Sequence, residues 1–234
     1  MLQDQTLAVV QEIFQAIFMQ DNPYTLSELR TKFASSLQLP ELVTDSTTGE
    51  PTYSILPGAA QYITCANSEK RSDTNGWILT DKSPTSDIDQ LEKIWHDINS
   101  ITTERVFNSE NVHASDPIYN CTNIYSSTNC GDSHYLIYCS GTFRSRYALA
   151  SKRSDTLNYC INVDDSNSCT NSYQVICSSK ISNSLFIQDC GNLHECIWCS
   201  HIANQEYCIA NIQFSQSEYY ELKPKIIDRI LRDI

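Results

Sequence analysis

The sequence lacks the features that mark membrane-spanning, exported and nucleotide-binding proteins. None of its 234 residues belong to an apolar run long enough to cross a bilayer. Its start, MLQDQTLAVVQEIFQAIFMQ, has no basic leader and no small-residue cleavage site. Glycine-rich phosphate loops, Ser-His-Asp patterns and paired carboxylates are also missing. We therefore expect an intracellular, cytoplasmic chain that binds no membrane and has no catalytic, cofactor-binding or metal-ligating residues.

Basic residues are scarce as well. The chain has 16 lysines and arginines against 28 acids, for a net charge of −12. An acidic surface repels nucleic acid, so no nucleic-acid partner is expected. The one local concentration of bases is Arg144, Arg146, Lys152 and Arg153, which we interpret as a solvated edge of the fold.

A six-residue repeat fills the second half of the chain. One series, mostly aliphatic or cysteine, comprises Val106, Val112, Ile118, Ile124, Cys130, Leu136, Thr142 and Ala148, and resumes after a nine-residue step as Leu157, Val163, Cys169, Val175, Ile181, Ile187, Leu193 and Cys199. Three residues after each member lies a second series, which is mostly Ser or Cys and ends at Cys208. The step near Ser154 keeps the three-residue phase and predicts a small loop or a lengthened corner.

Asparagine and aspartate often precede members of these two series. The set is Asn108, Asn111, Asn120, Asn123, Asn129, Asp132, Asn162, Asp165, Asn171, Asn183, Asp189, Asn192 and Asn204. Asn and Asp tolerate the left-handed backbone region better than other non-glycine residues. Since the chain has only 6 glycines, we expect these residues to form the corners of a coil built from very short strands.

A six-residue unit buries its apolar side chain only by stacking on copies of itself. Residues 105–208 are therefore predicted to form a parallel β-solenoid, and the chain as a whole to be mostly β. Phe107, Tyr125 and Phe143 recur every eighteen residues, which favours a three-sided, hexapeptide-type coil and about five to six coils. A two-sided coil of twelve residues is the alternative, and handedness stays open.

Eleven cysteines occur in this chain. Column neighbours about 4.8 Å apart are slightly too distant for an unstrained disulfide, so we interpret most cysteines as free thiols that act as small apolar core residues. Cys190, Cys196, Cys199 and Cys208 are the residues that would hold zinc if there were such a site. Each already fits one of the two repeat series, so packing explains them without a metal.

Helical patterns flank the repeat. Residues 1–40 are predicted to be helical, with a second helix opening at the capping box of Thr25 and Glu28. Residues 41–104 are rich in turn signals and carry one helix at about 86–99. Residues 209–234 carry a helix opened by Ser215 and Glu218. An open solenoid end requires a cap, so these helices are expected to cap the solenoid or to dock on a partner.

Six-residue repeats resemble those of the hexapeptide acyltransferases, which use a histidine base between subunits. That resemblance implies acyl transfer with His134 or His194 as candidates, and it supplies one alternative function. The chain departs from the family pattern because Phe107, Tyr119 and Phe143 stand where a small residue is usual.

The stretch YCIANIQFSQSEYYEL, within the last fifty residues, resembles the ending of Cys-rich short-repeat proteins of candidate-phylum bacteria and large DNA viruses. Ile212 and Gln213 replace the lysines of that pattern. The resemblance implies a solenoid and a viral setting. The leading expectation is a non-enzymatic structural or protein-interaction protein, a minor capsid-associated component of a virion, with capsid or assembly proteins or a second copy as partners. A zinc-stabilised binding module is a further alternative.

Overall fold

The computed structural model describes residues 1–56, 58, 61–80 and 87–233. It is mostly β, with 42% strand and 28% helix, and its centre is a parallel β-solenoid of about nine turns. The predicted β-solenoid is confirmed. Part of the predicted turn-rich segment and residue 86, the predicted start of its helix, lie outside the described residues. No described helix is long and apolar enough to cross a bilayer.

The N-terminal region begins with helices α1 (Gln3–Phe18) and α2 (Leu26–Phe33). The capping box that opens α2 forms as predicted, since Glu28 accepts from the Thr25 amide and Thr25 Oγ1 accepts from the Glu28 amide. Four short strands and two helices follow: β1 (Glu41–Thr44), β2 (Pro51–Ser54), β3 (Gln61–Thr64), α3 (Cys65–Asp73), α4 (Ile88–Ile98) and β4 (Ser100–Thr103). Strands β1 and β2 pair antiparallel, and β3 and β4 pair parallel. The sequence predicts only α4, because the polar stretch of α3 buries no residue and has no apolar stripe to identify it.

The solenoid and its C-terminal extension complete the chain. Their strands are β5 (Val106–Phe107), β6 (Glu110–His113), β7 (Ile118–Tyr119), β8 (Thr122–Tyr125), β9 (Cys130–Gly131), β10 (His134–Ile137), β11 (Ser140–Phe143), β12 (Arg146–Leu149), β13 (Lys152–Asp164), β14 (Asn167–Ile176), β15 (Ser179–Ser182), β16 (Leu185–Gln188), β17 (Gly191–Ser200), β18 (Ala203–Ile209) and β19 (Ile212–Gln213). Helix α5 (Gln216–Asp233) follows, after the predicted capping box of Ser215 and Glu218.

Each coil contains twelve residues. Leu136 pairs with Ile124 in the coil before it and with Ala148 in the coil after it. The same register runs through the solenoid, so the expectation of an eighteen-residue, three-sided coil with five to six turns is wrong. The aromatic spacing misled because Phe107 and Phe143 are thirty-six residues apart, which is three coils of twelve as well as two of eighteen. Tyr125, midway between them, lies on a different side.

Residues with a left-handed backbone conformation form the corners of the coil. From Asn108 to Ala210 the backbone has a positive φ at almost every third residue, and all of the predicted Asn and Asp corners are among them. Four such residues per coil divide it into four short sides, each with one inward and one outward residue. The two-sided alternative is therefore corrected too, although its twelve-residue length is right. Corner side chains stack between coils: the Asn108 amide donates to Asn120 Oδ1 and the Asn120 amide to Asp132 Oδ1, each at 2.9 Å.

Inward serines complete the hydrogen bonding of the backbone. Ser109 Oγ donates to the Phe107 carbonyl at 2.8 Å and accepts from the Cys121 amide, one coil later, at 2.9 Å. Ser133, Ser145 and Ser178 make the same pair of bonds. Buried amides need a partner, and here a side-chain hydroxyl supplies it. This explains why serine dominates the second series of the repeat.

The nine-residue step in the repeat is an exchange of columns, not a loop. Strand β13 runs without interruption through Ser154, which pairs with Thr142 in the twelve-residue register. The inward column that holds Ser145 continues as Leu157, and the column that holds Ala148 continues as Cys160. The predicted loop is therefore wrong. Each half of the solenoid keeps large and small residues in alternate columns, which fills the interior at a constant volume.

Helices cover one outer side of the solenoid along its length. This side, the covered face, presents an apolar outward residue in each of seven successive coils: Ile137, Leu149, Ile161, Tyr173, Leu185, Ile197 and Ile209. Helix α1 packs on it, with the Phe18 and Tyr173 ring centres 5.5 Å apart, and buried residues of α2 and α5 belong to the same apolar cluster. The expected end caps are therefore lateral packing elements, because the apolar column they bury runs along the rod.

Other groups close the two ends of the solenoid. At the last coil, β19 pairs antiparallel with Cys208 and Ile209 of β18. At the first coil, the Met1 amine donates to the Asn111 carbonyl at 2.8 Å. The guanidinium of Arg105 binds the buried carboxylate of Asp116 there at 2.8 Å.

A buried ion pair attaches α5 to the solenoid. The Glu195 carboxylate, 5% exposed, accepts from Lys223 Nζ at 2.6 Å and from the Tyr220 hydroxyl at 3.3 Å. The Lys223 ammonium also lies 5.7 Å from the centre of the Tyr219 ring. A charge this deeply buried needs such partners, so they fix the position at which α5 crosses the last coils.

Removing the hydroxyl of an inward serine should lower the free energy of unfolding of the solenoid. Ser145→Ala leaves the buried Leu157 amide without its partner at 3.0 Å, and we expect a loss of about 1–3 kcal/mol in the free energy of unfolding. Ser179→Ala, at an exposed outward position, serves as the control and should change it by less than about 0.5 kcal/mol. Denaturant titration measures both. Equal effects of the two substitutions would contradict the role of the inward serines.

A corner substitution should stabilise the fold. Thr156 is β-branched and has φ of 58°, a region in which an L-residue is strained by about 1–2 kcal/mol and which Asn tolerates better. Thr156→Asn should therefore raise the free energy of unfolding by up to about 1 kcal/mol. Thr170→Asn, on an outward strand position, is the matched control and should give no gain. A lower melting temperature for Thr156→Asn would show that its corner is not strained.

Candidate interaction surfaces

The interior of the solenoid is sealed around its cysteines. All eleven thiols of the chain are free and nine are buried. Burial raises the pKa of Cys139 and of Cys169 to about 12. The Cys139 thiol donates to the Ile137 and Ala148 carbonyls at 3.4 Å. Cys139 and Cys169 therefore stay protonated near neutral pH, and the buried thiols fill space as small apolar residues, in agreement with our interpretation.

The four cysteines considered for zinc are spread over the last coils. Cys196 and Cys208 are register partners in one inward column, whereas Cys199 and Cys190 occupy two other columns. The hydrogen bond between Cys196 and Cys199 raises the pKa of Cys196 and lowers the pKa of Cys199 to about 7, so Cys196, but not Cys199, is held away from the thiolate that a metal requires. Over the described ranges, no three His, Cys, Asp or Glu side chains are grouped as metal ligands.

Three histidines of the solenoid, His113, His134 and His194, belong to outward columns, and His201 lies at a corner. Nδ1 of His194 hydrogen bonds to Ser182 Oγ at 2.8 Å, and Nδ1 of His134 hydrogen bonds to Thr122 Oγ1, in each case with the residue one coil earlier. His113 stacks on Tyr125, and burial lowers its pKa. The side chains of His134 and His194 thus form hydrogen bonds between adjacent coils. The twelve-residue coil also differs from the eighteen-residue coil that suggested an acyltransferase.

The basic stretch is partly neutralised by aspartates one coil later. Arg144 pairs with Asp155, and Arg153 pairs with Asp164 at 3.0 Å. Both arginines remain more than half exposed, so solvent and salt screen their fields. The arrangement fits the solvated edge that the sequence suggests.

Among the residues that the structure describes, no helix lies on the side opposite the covered face, and we call this side the bare face. Its outward column is Phe107, Tyr119, Gly131, Phe143, Asp155, Asn167, Ser179, Gly191 and Ala203. Three aromatic residues, Phe107, Tyr119 and Phe143, form an aromatic stripe at its N-terminal end, with exposed fractions of 43%, 42% and 38%. In the sequence these residues appear as departures from the hexapeptide pattern and, for Phe107 and Phe143, as an apparent eighteen-residue spacing, and neither observation indicates an exposed surface.

The rings of the aromatic stripe are held by their neighbours. Phe107 and Tyr119 stack with ring centres 5.4 Å apart. Phe143 leans over Gly131, where a Cβ would come within 3.0 Å of the ring. Glycine at position 131 therefore lets Phe143 lie flat along the column. The result is a fixed apolar surface on a rigid support.

Helix α4 forms a second exposed apolar surface. None of its residues is buried, and Ile88, Leu91 and Trp95 are 81%, 41% and 56% exposed. Asp87 caps the start of the helix, and its carboxylate accepts from the Asp89 amide at 3.0 Å. An amphipathic helix of eleven residues with its apolar side in water is marginal on its own. Its apolar side is therefore a candidate contact surface.

Comparisons with known proteins give no relative: no protein-family model, no curated protein and no solved structure matches this chain. The resemblance to Cys-rich short-repeat proteins accordingly stays a prediction.

Thiol labelling should separate the exposed cysteine from the core. In native protein we expect a maleimide to modify Cys177 first, because Cys177 is exposed and the solenoid interior is closed. Intact-mass and peptide mass spectrometry follow the sites with time. Cys177→Ser combined with Cys65→Ser, which removes the half-buried thiol outside the solenoid, should abolish the fast phase, and unfolding in denaturant should make all remaining sites react. Native labelling of Cys139 as fast as that of Cys177 would contradict the sealed interior.

Proposed function

We propose that this protein is a non-enzymatic scaffold that binds another protein through the bare face of its solenoid. The observation that carries the proposal is the aromatic stripe of Phe107, Tyr119 and Phe143, exposed on a rigid β surface. Aromatic residues are enriched at the energetically dominant centres of protein interfaces.

Rigidity supports this function. The stripe is fixed by coil stacking, by ring stacking and by the fit of Phe143 over Gly131. A surface that is already ordered loses little conformational entropy when a partner binds. The amides of Asn108 and Asn120, hydrogen bonded to each other along the adjacent corner, supply a polar rim of the kind that surrounds interface centres.

The chemistry of the interior favours a scaffold over an enzyme. The hydroxyls of buried serines such as Ser145 each donate to one backbone carbonyl and accept from one backbone amide, here those of Phe143 and Leu157. The buried Cys139 thiol has a pKa raised to about 12 and donates to the Ala148 carbonyl. Such groups stabilise the coil, and none is presented to a substrate. The outer surface therefore carries the function.

Site-specific photo-crosslinking tests the proposal in the organism that encodes the protein. A photoreactive residue in place of Tyr119 should give a discrete adduct with one partner. The same residue in place of Ser179, five coils along the same column, is the matched control and should give none. Phe107→Ser with Phe143→Ser should weaken binding of the purified partner at least about thirtyfold, the loss expected for an aromatic centre of an interface. Equal adducts at both positions, or unchanged affinity, would refute the proposal.

A further inference from the structure

Helix α4 has the pattern of a helix that docks into a groove. Ile88, Leu91, Trp95 and Ile98 lie at positions i, i+3, i+7 and i+10, so they form one stripe along the helix, which Ile94 widens. A stripe of this kind is the usual set of anchors by which an amphipathic helix enters an apolar groove. Within the part of the chain that the structure describes, no α4 residue is buried.

The charge of α4 restricts the occupant. Asp87, Asp89, Glu92 and Asp97 stand against Lys93 in this short segment. A second copy would bring one acidic helix against another, and the net charge of −12 on each chain adds to the repulsion. An anionic lipid surface is disfavoured for the same reason. A groove rimmed by lysine and arginine would instead attract the helix and set its orientation.

We propose that α4 is a recognition helix that docks its Ile88, Leu91 and Trp95 stripe into an apolar, basic-rimmed groove of a partner protein. This inference rests on the proposed interaction role and uses a surface separate from the aromatic stripe. The anchors provide contact with the floor of the groove. The acidic residues around the helix provide selectivity for a basic rim.

Tryptophan fluorescence of the full chain tests the chemistry directly. Trp77→Phe with Trp198→Phe leaves Trp95 as the reporter, since the chain has 3 tryptophans. Two synthetic helical peptides of equal length serve as probes, one of leucine and lysine and one of leucine and glutamate. We expect the lysine peptide to shift Trp95 emission to the blue and to bind at least about tenfold more tightly than the glutamate peptide at low salt.

Matched variants separate the anchors from the general acidity of the chain. Ile88→Ser with Leu91→Ser keeps every charge and should weaken lysine-peptide binding at least about tenfold. Gln90→Ser, on the polar side of the same helix, should leave it unchanged. Equal affinity for both peptides, no blue shift with either, or unchanged binding by the double serine variant would overturn the proposal. A blue shift that grows with protein concentration without peptide would also overturn it, because it would identify a second copy as the occupant.

The proposals for the aromatic stripe and for helix α4 can be tested and refuted separately. Replacing Phe107, Tyr119 and Phe143 by serine should leave the Trp95 response intact. If the stripe proves inactive while α4 binds as expected, the bare-face assignment is wrong and the α4 assignment stands. If the serine variant of the stripe abolishes the Trp95 response, the two surfaces form one site and the inference of a separate recognition helix is refuted.

Discussion

The solenoid depends on a left-handed corner at every third residue. Each corner turns the chain, so the residue after it always points inward and the next one outward, as Ser109 and Glu110 do after Asn108. Four corners return the chain to its starting side after twelve residues. This backbone constraint fixes the inward columns, the outward columns and the ladder between coils. Left-handed conformations are unfavourable for most L-residues, so stacked corner side chains and the closed backbone ladder must offset their cost.

The same constraint explains the chemistry of the core. A narrow coil brings inward residues of adjacent sides close together, so each side chain must be compact or alternate with a compact neighbour. Serine suits this position because its hydroxyl serves two backbone groups, as in Ser145. Cysteine fits the same volume, and its thiol donates to the carbonyls around it, as in Cys139. The cysteine content therefore follows from packing in a narrow prism.

Local signals in the sequence identified much of the fold. Asn120 and Asp132 indicated the corners because their own preference favours a left-handed backbone, and capping boxes placed the starts of α2 and α5. The prediction of coil length was wrong because coil length depends on which residues become neighbours in successive coils. The spacing of Phe107 and Phe143 fits coils of twelve and of eighteen residues equally well. The apolar column of Ile137, Leu149 and Ile161 can be recognised only when the sequence is aligned in coils of twelve. Tyr147 and Trp198 occupy corners despite poor intrinsic preference, since stacking between coils overrides it.

The candidate surfaces were harder to predict, because an outward apolar column can contact a partner only if no helix of the same chain covers it. Tyr119 and Ile137 both look like apolar outward residues in a repeat, yet α1 packs beside Ile137 and leaves Tyr119 in water. Each outward column can change without altering the inward columns, since corners separate the sides. A twelve-residue coil can thus hold its own helices on the covered face while the bare face keeps a different surface. This independence allows one rigid core to carry separate binding surfaces, and it explains why a sealed interior and exposed aromatic residues occur in the same short repeat.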